Sequence, residues 1–196
     1  MQGKRLNALL ILWACATATG MGFMMRWQAS PNECVVAAER IPPIESIVRE
    51  EGKSTMVMFL HPMCPCSQAS LSELERLMAR TPDFTINIVA LSYGRWNDTP
   101  LLRRAKQIND LHIVPDPSGA IAKQFDARIS GEVFFYDPNG KTTFHGGITS
   151  SRGHEGDNPG SAAIFALLHQ QNRIQPPSGG PVYGCPLFAS AQENEK

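Results

Sequence analysis

The chain has 196 residues, of which 42% are hydrophobic and 18% charged, which suits one globular domain of typical size plus an extra segment. The whole chain is neutral, with 18 lysines and arginines and 18 aspartates and glutamates. Residues 1–26 contain Lys4, Arg5 and Arg26 and no acid. Residues 27–196 therefore carry 15 basic and 18 acidic groups, a net charge of −3. A mildly acidic domain without a basic stripe does not suit a nucleic-acid partner, and we predict none.

The first predicted element is the uncharged segment from Leu6 to Met25, which follows Lys4 and Arg5. Its twenty residues would span roughly 30 Å as a helix, the thickness of the hydrocarbon core of a membrane. Positive charge before an apolar run favours a cytoplasmic N-terminus. We therefore predict that residues 1–27 form a single-pass anchor in the cytoplasmic membrane, with the rest of the chain on the periplasmic or extracytoplasmic side.

Two alternatives remain open for this segment. The alanines at 14, 16 and 18 offer small-residue cleavage patterns of a secretory signal peptide, and Cys15 could be a lipidated cysteine. All three interpretations place the domain outside the cytoplasm. Cys34, Cys64, Cys66 and Cys185 would then lie in an oxidising compartment, where cysteines are structural bridges, redox-active thiols or metal ligands.

Residues 28–53 are predicted to be a linker and lead-in, because Ser30-Pro31-Asn32 and Ile41-Pro42-Pro43 interrupt any regular element. Thr55 to Leu60 then predicts a short buried strand. The next predicted element is a helix from Ser67 to Arg80, with leucines on one face and Glu73 largely on the other. Either Ser67 or Ser70, the latter spaced as a capping box with Glu73, could begin this helix.

The remaining elements follow as alternating strands and helices and end in a hairpin and a helix. They are strands at 84–91, 111–114, 133–136 and 142–145 and helices at 100–108, 120–125 and 159–172. The hairpin is indicated by the turn Asp137-Pro138-Asn139-Gly140. The order β-α-β-α-β-α-β-β-α predicts an α/β fold with a central mixed sheet flanked by helices over residues 54–175, followed by a Pro/Gly-rich tail at 176–196.

Cys64 and Cys66 form a C-x-C motif where the first core strand gives way to the first long helix of this domain. Free N–H groups and the helix dipole at such a junction stabilise a thiolate and lower its pKa. A thiolate attacks disulfides, reduces peroxides or binds a soft metal. A bond between Cys64 and Cys66 would close a small ring with little freedom to reach relaxed geometry, so it should be easily reduced.

This region resembles the active-site strand–turn–helix of thioredoxin-like proteins. In FLHPMCPCSQASLSEL, Cys64 matches the first, nucleophilic cysteine of their C-x-x-C motif, and Ser67 falls at the place of the second. Downstream, DPSGAIA and VFFYDPNGK are similar to the TlpA and peroxiredoxin-like branch of the superfamily. The set HPMCPCSQASL, FHGGITSSRGHEGDN and VYGCPLF resembles anchored bacterial thioredoxin-like proteins sometimes labelled RedB, over roughly residues 55–190.

The resemblance implies a thioredoxin-like fold, and it includes one departure. Thioredoxins place a cis-proline just before the strand beside the active site, where Gly131 stands here. A glycine also allows close approach of a backbone, so Gly131 is a candidate substrate-binding residue.

Three further residues are candidates for the site. Cys185, in the tail, could fold back over the first helix of the domain as a resolving thiol or a third sulfur ligand; it could also form a structural bridge, for instance with Cys34, or be a free thiol. His61, three residues before Cys64, could tune the thiolate, ligate a metal, bind substrate or orient the loop. His154 lies in a polar Gly-rich loop before the last helix and could line the active-site rim or simply be on the surface.

The leading hypothesis is a membrane-anchored thiol–disulfide oxidoreductase whose partners are thiols or disulfides of an exported protein. Cys64 would attack and Cys66 or Cys185 would resolve, without a cofactor. The alternative is a copper-binding module, in which Cys64, Cys66, Cys185 and His154 would hold Cu(I). A thiol peroxidase is a further alternative, although His61 occupies the place of the threonine that peroxiredoxins need. An interaction domain with an inert disulfide also remains open.

Overall fold

A computed structural model describes residues 2–32, 37–81, 84–91, 98–169 and 179–188. The chain divides into two compact units, Met1–Ser30 and Pro31–Lys196. The first unit consists of helix α1, Gln2–Ala29. Its part from Lys4 to Ala29 is long and apolar enough to cross a membrane, a property that an anchor shares with a signal sequence.

The second unit is built on a five-stranded sheet whose strand order is β3-β2-β1-β4-β5. Strand β1 pairs in parallel with β2 and antiparallel with β4, while β2 and β3 are parallel and β4 and β5 antiparallel. The elements are β1 (Ser54–Leu60), α2 (Cys66–Arg80), β2 (Phe84–Ala90), α3 (Pro100–Gln107), β3 (Leu111–Pro115), α4 (Ala120–Gln124), β4 (Glu132–Tyr136), β5 (Thr142–Gly147) and α5 (Pro159–Leu168).

Both faces of the sheet are covered, because alternate residues of each strand point to opposite sides. Met56 and Met58 of β1 belong to one core cluster, which includes side chains of α2, α3 and α5. Val57 and Phe59 belong to a second cluster on the other face, with side chains from α4 and Leu187 of the tail. Strand β1 is therefore buried on both sides, as its continuous apolar sequence predicted.

Two details of α2 differ from the sequence prediction. The helix begins at Cys66, after Pro65 as the N-cap, and no side chain caps it, so the prediction that Ser67 or Ser70 caps this helix was wrong. The hydroxyl of Ser67 is instead committed to another loop, as described below. Proline fits this place because its fixed φ is already helical and it has no N–H to satisfy.

The sequence placed Glu73 largely on the face of α2 opposite the leucines, but its side chain is only 4% exposed. The carboxylate accepts hydrogen bonds from Arg76, from the backbone N–H of Gly156 at 2.6 Å and from the Asn158 amide at 3.3 Å. Burial of a carboxylate is tolerated when its oxygens are satisfied in this way. Glu73 thus fastens the loop before α5 to α2.

Helix α5 begins at Pro159, as predicted, but ends before residue 172, where the prediction placed its end. Asn158 caps it by accepting a hydrogen bond from the Ser161 N–H at 2.8 Å. The helix ends at Leu168, with His169 as the C-cap. Residues 170–172 of the predicted helix lie outside the described residues.

Candidate active site

Cys64 lies in the turn that joins β1 to α2, with both neighbouring elements fixing its backbone. Its N–H donates to the carbonyl of His61 at 3.0 Å, and its own carbonyl accepts from the Ser67 N–H at 3.1 Å. Cys64 is 4% exposed and Cys66, the first residue of α2, is 7% exposed. The turn therefore places both sulfurs at the N-terminus of a helix, beneath the surface.

The tail brings Cys185 to the same place. The N–H of Ser130 donates to the Cys185 carbonyl at 2.8 Å, and the N–H of Leu187 donates to the Arg128 carbonyl at 2.7 Å. Between them, Ile129 and Pro186 form an antiparallel bridge. The tail thus runs as a short extended segment along the stretch just before β4, a fold-back that the sequence analysis had raised as one possibility.

Cys64, Cys66 and Cys185 interact through their side chains, and all three are free thiols. Burial raises the pKa of Cys64, but hydrogen bonds from the thiol and backbone of Cys185, from the Ser67 side chain and from the Cys66 backbone lower it. The net result is a pKa below the ordinary value of a thiol. Of the three thiols, Cys64 is the one whose pKa is lowered, which favours its thiolate form.

The other two thiols are held in the protonated form. Burial raises the pKa of Cys185 to about 12, and its hydrogen bond to Cys64 and the charges of Cys64 and Cys66 act in the same direction. Burial and the charge and hydrogen bond of Cys64 likewise raise the pKa of Cys66. The arrangement fits one thiolate, Cys64, that receives hydrogen bonds from a neighbouring thiol.

Arg152 is a site residue that the sequence analysis missed. Its positive charge lowers the pKa of both Cys66 and Cys185, although burial outweighs this effect. The guanidinium also donates to the Gly184 carbonyl and, at 3.3 Å, to the side-chain oxygen of Asn32. Arg152 therefore holds the residue before Cys185 while it faces the sulfurs.

A pair of buried serines connects the cysteine turn to the stretch before β4. The hydroxyls of Ser67 and Ser130 lie 2.7 Å apart. The Ser130 hydroxyl accepts from the His61 N–H at 2.8 Å, and the Ser67 hydroxyl lies 3.3 Å from the His61 carbonyl. Ser67, at the place of the second cysteine of a C-x-x-C motif, thus joins the elements that carry Cys64 and Cys185.

His61 and Gly131 both lie at the site. The ring of His61 is half-buried and its Nδ1 accepts from the Met63 N–H at 3.2 Å, which supports an orienting role in the loop. Burial lowers the pKa of His61. Gly131 has a φ of +89°, and a Cβ there would meet the Ser70 hydroxyl at 2.7 Å, so this glycine is required for close packing on α2. No cis peptide bond occurs in the described residues.

His154 is exposed, with its backbone N–H donating to Ser151. The residues of the same loop that interact with the sulfurs are Arg152 and Gly153. A role for His154 in binding substrate stays a prediction. Cys34, considered as a partner of Cys185 in a structural bridge, lies outside the described residues.

Glu132, the first residue of β4, organises the stretch that receives the tail. One carboxylate oxygen accepts from the backbone N–H groups of Arg128 and Ile129, at 2.8 and 3.1 Å. The other oxygen lies 2.7 Å from Nε2 of His145, whose ring stacks on Phe134. This buried pair had no sequence signal beyond two polar residues in apolar strands.

The copper alternative requires Cys64, Cys66, Cys185 and His154 to surround one metal ion. Among residues 2–32, 37–81, 84–91, 98–169 and 179–188, no group of three or more His, Cys, Asp or Glu side chains is arranged to hold a metal ion. The sulfurs of Cys64, Cys66 and Cys185 interact as a thiolate with its hydrogen-bond donors. A copper site at these residues stays a prediction.

The sheet order, the flanking helices and the cysteine turn at the start of α2 define a thioredoxin-like α/β fold. The chain matches no protein-family model and no curated protein sequence. Among solved structures it is similar to an uncharacterized conserved protein from Geobacillus kaustophilus, with 20% identity and a TM-score of 0.59 over 84% of this chain and 91% of that one.

Two other solved structures are also similar to this chain. A hypothetical protein from Sinorhizobium meliloti has 16% identity and a TM-score of 0.61, over 83% of this chain and 99% of that one. A secreted disulfide oxidoreductase of Mycobacterium tuberculosis, homologous to DsbE of E. coli, has 17% identity and a TM-score of 0.44, over 61% of this chain and 83% of that one. At these identities the similarity shows the fold alone.

Proposed function

We propose that this protein is a thiol–disulfide oxidoreductase in which Cys64 is the nucleophile and Cys185 the resolving thiol. The observation that carries the proposal is the contact between the Cys64 sulfur, whose pKa is lowered, and the Cys185 thiol on a separate segment. A thiolate of low pKa beside a second cysteine is what disulfide exchange requires. The resemblance of the cysteine turn to the active site of thioredoxin-like proteins, in which Cys64 matches the nucleophilic cysteine, supports the role given to Cys64.

The reaction follows from these positions. The Cys64 thiolate attacks one sulfur of a partner disulfide; the partner S–S bond breaks, and the other partner sulfur leaves as a thiolate and takes up a proton. The Cys185 thiol then loses its proton and attacks the Cys64 sulfur, which releases the second partner sulfur. The partner disulfide has been reduced to two thiols, and a Cys64–Cys185 disulfide has formed. The reverse sequence oxidises two partner thiols.

Cys185 suits the resolving step better than Cys66 does. A Cys64–Cys66 bond would close a ring across a single residue, Pro65, whose backbone is already fixed as the cap of α2. Cys185 comes from a different segment, so its bond to Cys64 carries no such constraint. Cys66 also interacts with Cys64 and remains the second candidate for this step.

The compartment is inferred from α1. A helix of this length and polarity acts as a membrane anchor or as a signal sequence, and either one exports the second unit. We assign the domain to the extracytoplasmic side of the cytoplasmic membrane, with exported protein thiols or disulfides as its partners. Disulfides persist in that compartment, which gives exchange chemistry its substrates.

Trapping of the mixed disulfide tests the proposal. The reduced full chain in detergent is mixed with glutathione disulfide, quenched with acid and analysed by intact mass and peptide mapping. In the wild-type protein we expect Cys185 to release glutathione from Cys64, whereas in Cys185→Ser the glutathione adduct on Cys64 should accumulate. Cys15→Ser, which changes an exposed cysteine of α1, is the matched control and should behave as wild type.

Two results would count against the assignment. If Cys64 forms no adduct in Cys185→Ser, Cys64 is not the nucleophile. If the adduct disappears as fast in that variant as in the wild type, and persists in Cys66→Ser, then Cys66 resolves it and Cys185 does not.

A further inference from the structure

The tail segment Gly184–Leu187, called the strap below, lies over the nucleophile of the site. It runs antiparallel to Arg128–Ser130 and uses two of the backbone hydrogen-bonding groups of that stretch, the Ser130 N–H and the Arg128 carbonyl. Such a stretch is where another extended polypeptide can add to a sheet. In this structure the chain itself has filled that position.

The strap is held at both ends. Leu187 is 2% exposed and belongs to the core cluster on the α4 face of the sheet. At the other end, the Gly184 carbonyl accepts from the Arg152 guanidinium and, at 3.1 Å, from the Asn32 amide. The Cys185 side chain between these two anchors meets the Cys64 sulfur. The strap is thus a built contact of the domain, and the Cys64 sulfur beside it belongs to a residue that is only 4% exposed.

The fit of the strap depends on a glycine. A Cβ at residue 184 would lie 1.8 Å from the carbonyl oxygen of Ser130, a backbone atom that cannot give way as a flexible side chain can. Gly180, in the same tail, has open space within 4 Å of its Cβ position. The two glycines therefore offer a matched pair, since only a side chain at 184 would push the strap away from the Arg128–Ser130 stretch.

We propose that the strap is an autoinhibitory contact: it closes the site in the reduced protein and must leave the Arg128–Ser130 stretch before a partner disulfide reaches Cys64. The proposal rests on the proposed function and adds regulation to it. A disulfide that is attacked in line needs access to a sulfur that the strap now covers. The strap then returns Cys185 to Cys64 for the resolving step. Its departure therefore admits the partner, and its return completes the exchange.

The test is the rate at which iodoacetamide alkylates Cys64 in the reduced, folded full chain in detergent. The alkylation rate is measured by peptide mapping at about pH 9.5. This pH lies above the ordinary thiol pKa of about 8.5, so a change in the pKa of Cys64 alters the measured rate only a little. In Gly184→Ala we expect the Cys64 alkylation rate to rise about tenfold. This factor is the one expected if the closed position of the strap loses roughly one net hydrogen bond relative to the open position. In Gly180→Ala we expect the wild-type rate.

An unchanged Cys64 rate in a folded Gly184→Ala protein would overturn the proposal. Should that variant fail to fold, Leu187→Ala removes the buried anchor of the strap instead and is expected to raise the Cys64 rate in the same direction; a wild-type rate there would overturn the proposal equally. Circular dichroism establishes the fold of each variant.

Exchange with glutathione disulfide, measured on the same proteins, separates this proposal from the proposed function. If the Cys64 alkylation rate rises in Gly184→Ala but neither this variant nor the wild type exchanges disulfides, the result supports the autoinhibitory strap and contradicts the proposed oxidoreductase function. An unchanged alkylation rate in a wild-type-like enzyme contradicts the strap alone.

Discussion

Replacement of Cys64 by serine is expected to abolish thiol–disulfide exchange, with the rate falling to that of the protein-free reaction. A serine hydroxyl is not ionised near neutral pH, so the thiolate that the Cys185 and Ser67 hydrogen bonds stabilise is lost. The measurement is the reduction of insulin disulfides by dithiothreitol in the presence of the full chain in detergent. The expected loss is the largest of any single change in the site.

Cys66→Ser is the matched control, because it changes a thiol two residues away in the same turn. We expect this variant to keep exchange activity, since its hydroxyl can still lie at the N-terminus of α2 and Cys185 still faces Cys64. Exchange that persists in Cys64→Ser, or that disappears only in Cys66→Ser, would transfer the nucleophilic role to Cys66 and contradict the mechanism.

Replacement of Glu132 by alanine is expected to lower the free energy of unfolding by about 3 to 5 kcal/mol, the range found when one partner of a buried polar or charged pair is removed. Glu132 is 1% exposed, and its carboxylate satisfies the N–H groups of Arg128 and Ile129 as well as the ring of His145. The Ile129 N–H and the ring of His145 would be left buried without their partner, and the part-buried Arg128 N–H would lose its acceptor. Urea denaturation of the full chain in detergent, followed by circular dichroism, measures the change.

Glu132→Gln is the control for shape. Its amide keeps the volume of the side chain and one oxygen acceptor, and its NH2 group can face the His145 ring in the tautomer that accepts. We expect a smaller loss of stability than in the alanine variant. A Glu132→Ala protein within about 1 kcal/mol of wild type, the size of one ordinary net hydrogen bond, would show that the pair does not organise the stretch before β4.

Much of the fold could be predicted because its signals are local. The apolar run of β1, the amphipathic pattern of α2 and the Asp-Pro-Asn-Gly turn before β5 each reflect the geometry of a single element. Their order then limited the topology to a mixed sheet covered on both faces. The placement of Cys64 followed from the same information, since a strand that ends at Leu60 must turn there into the helix that follows.

The rest of the site depends on contacts between residues distant in sequence. The spacing of residues in the sequence did not indicate that the Cys185 carbonyl accepts a hydrogen bond from Ser130, or that the Arg152 guanidinium donates to the Gly184 carbonyl. The loop at 151–158 is rich in polar groups, which was a signal for Arg152, but nothing in the sequence ranked this arginine above His154 in the same loop. Glu73 was misplaced because helical periodicity shows which face a residue is on and not what packs against that face.

The disulfide map of the oxidised protein is the most direct test of whether Cys64 and Cys185 form the redox pair. The full chain in detergent is oxidised with glutathione disulfide, alkylated, digested under acid and mapped by mass spectrometry before and after mild reduction. We expect a Cys64–Cys185 disulfide that opens under mild dithiothreitol and returns both thiols. A Cys64 that stays a free thiol after oxidation, with Cys185 bonded elsewhere or also free, would contradict the proposed mechanism.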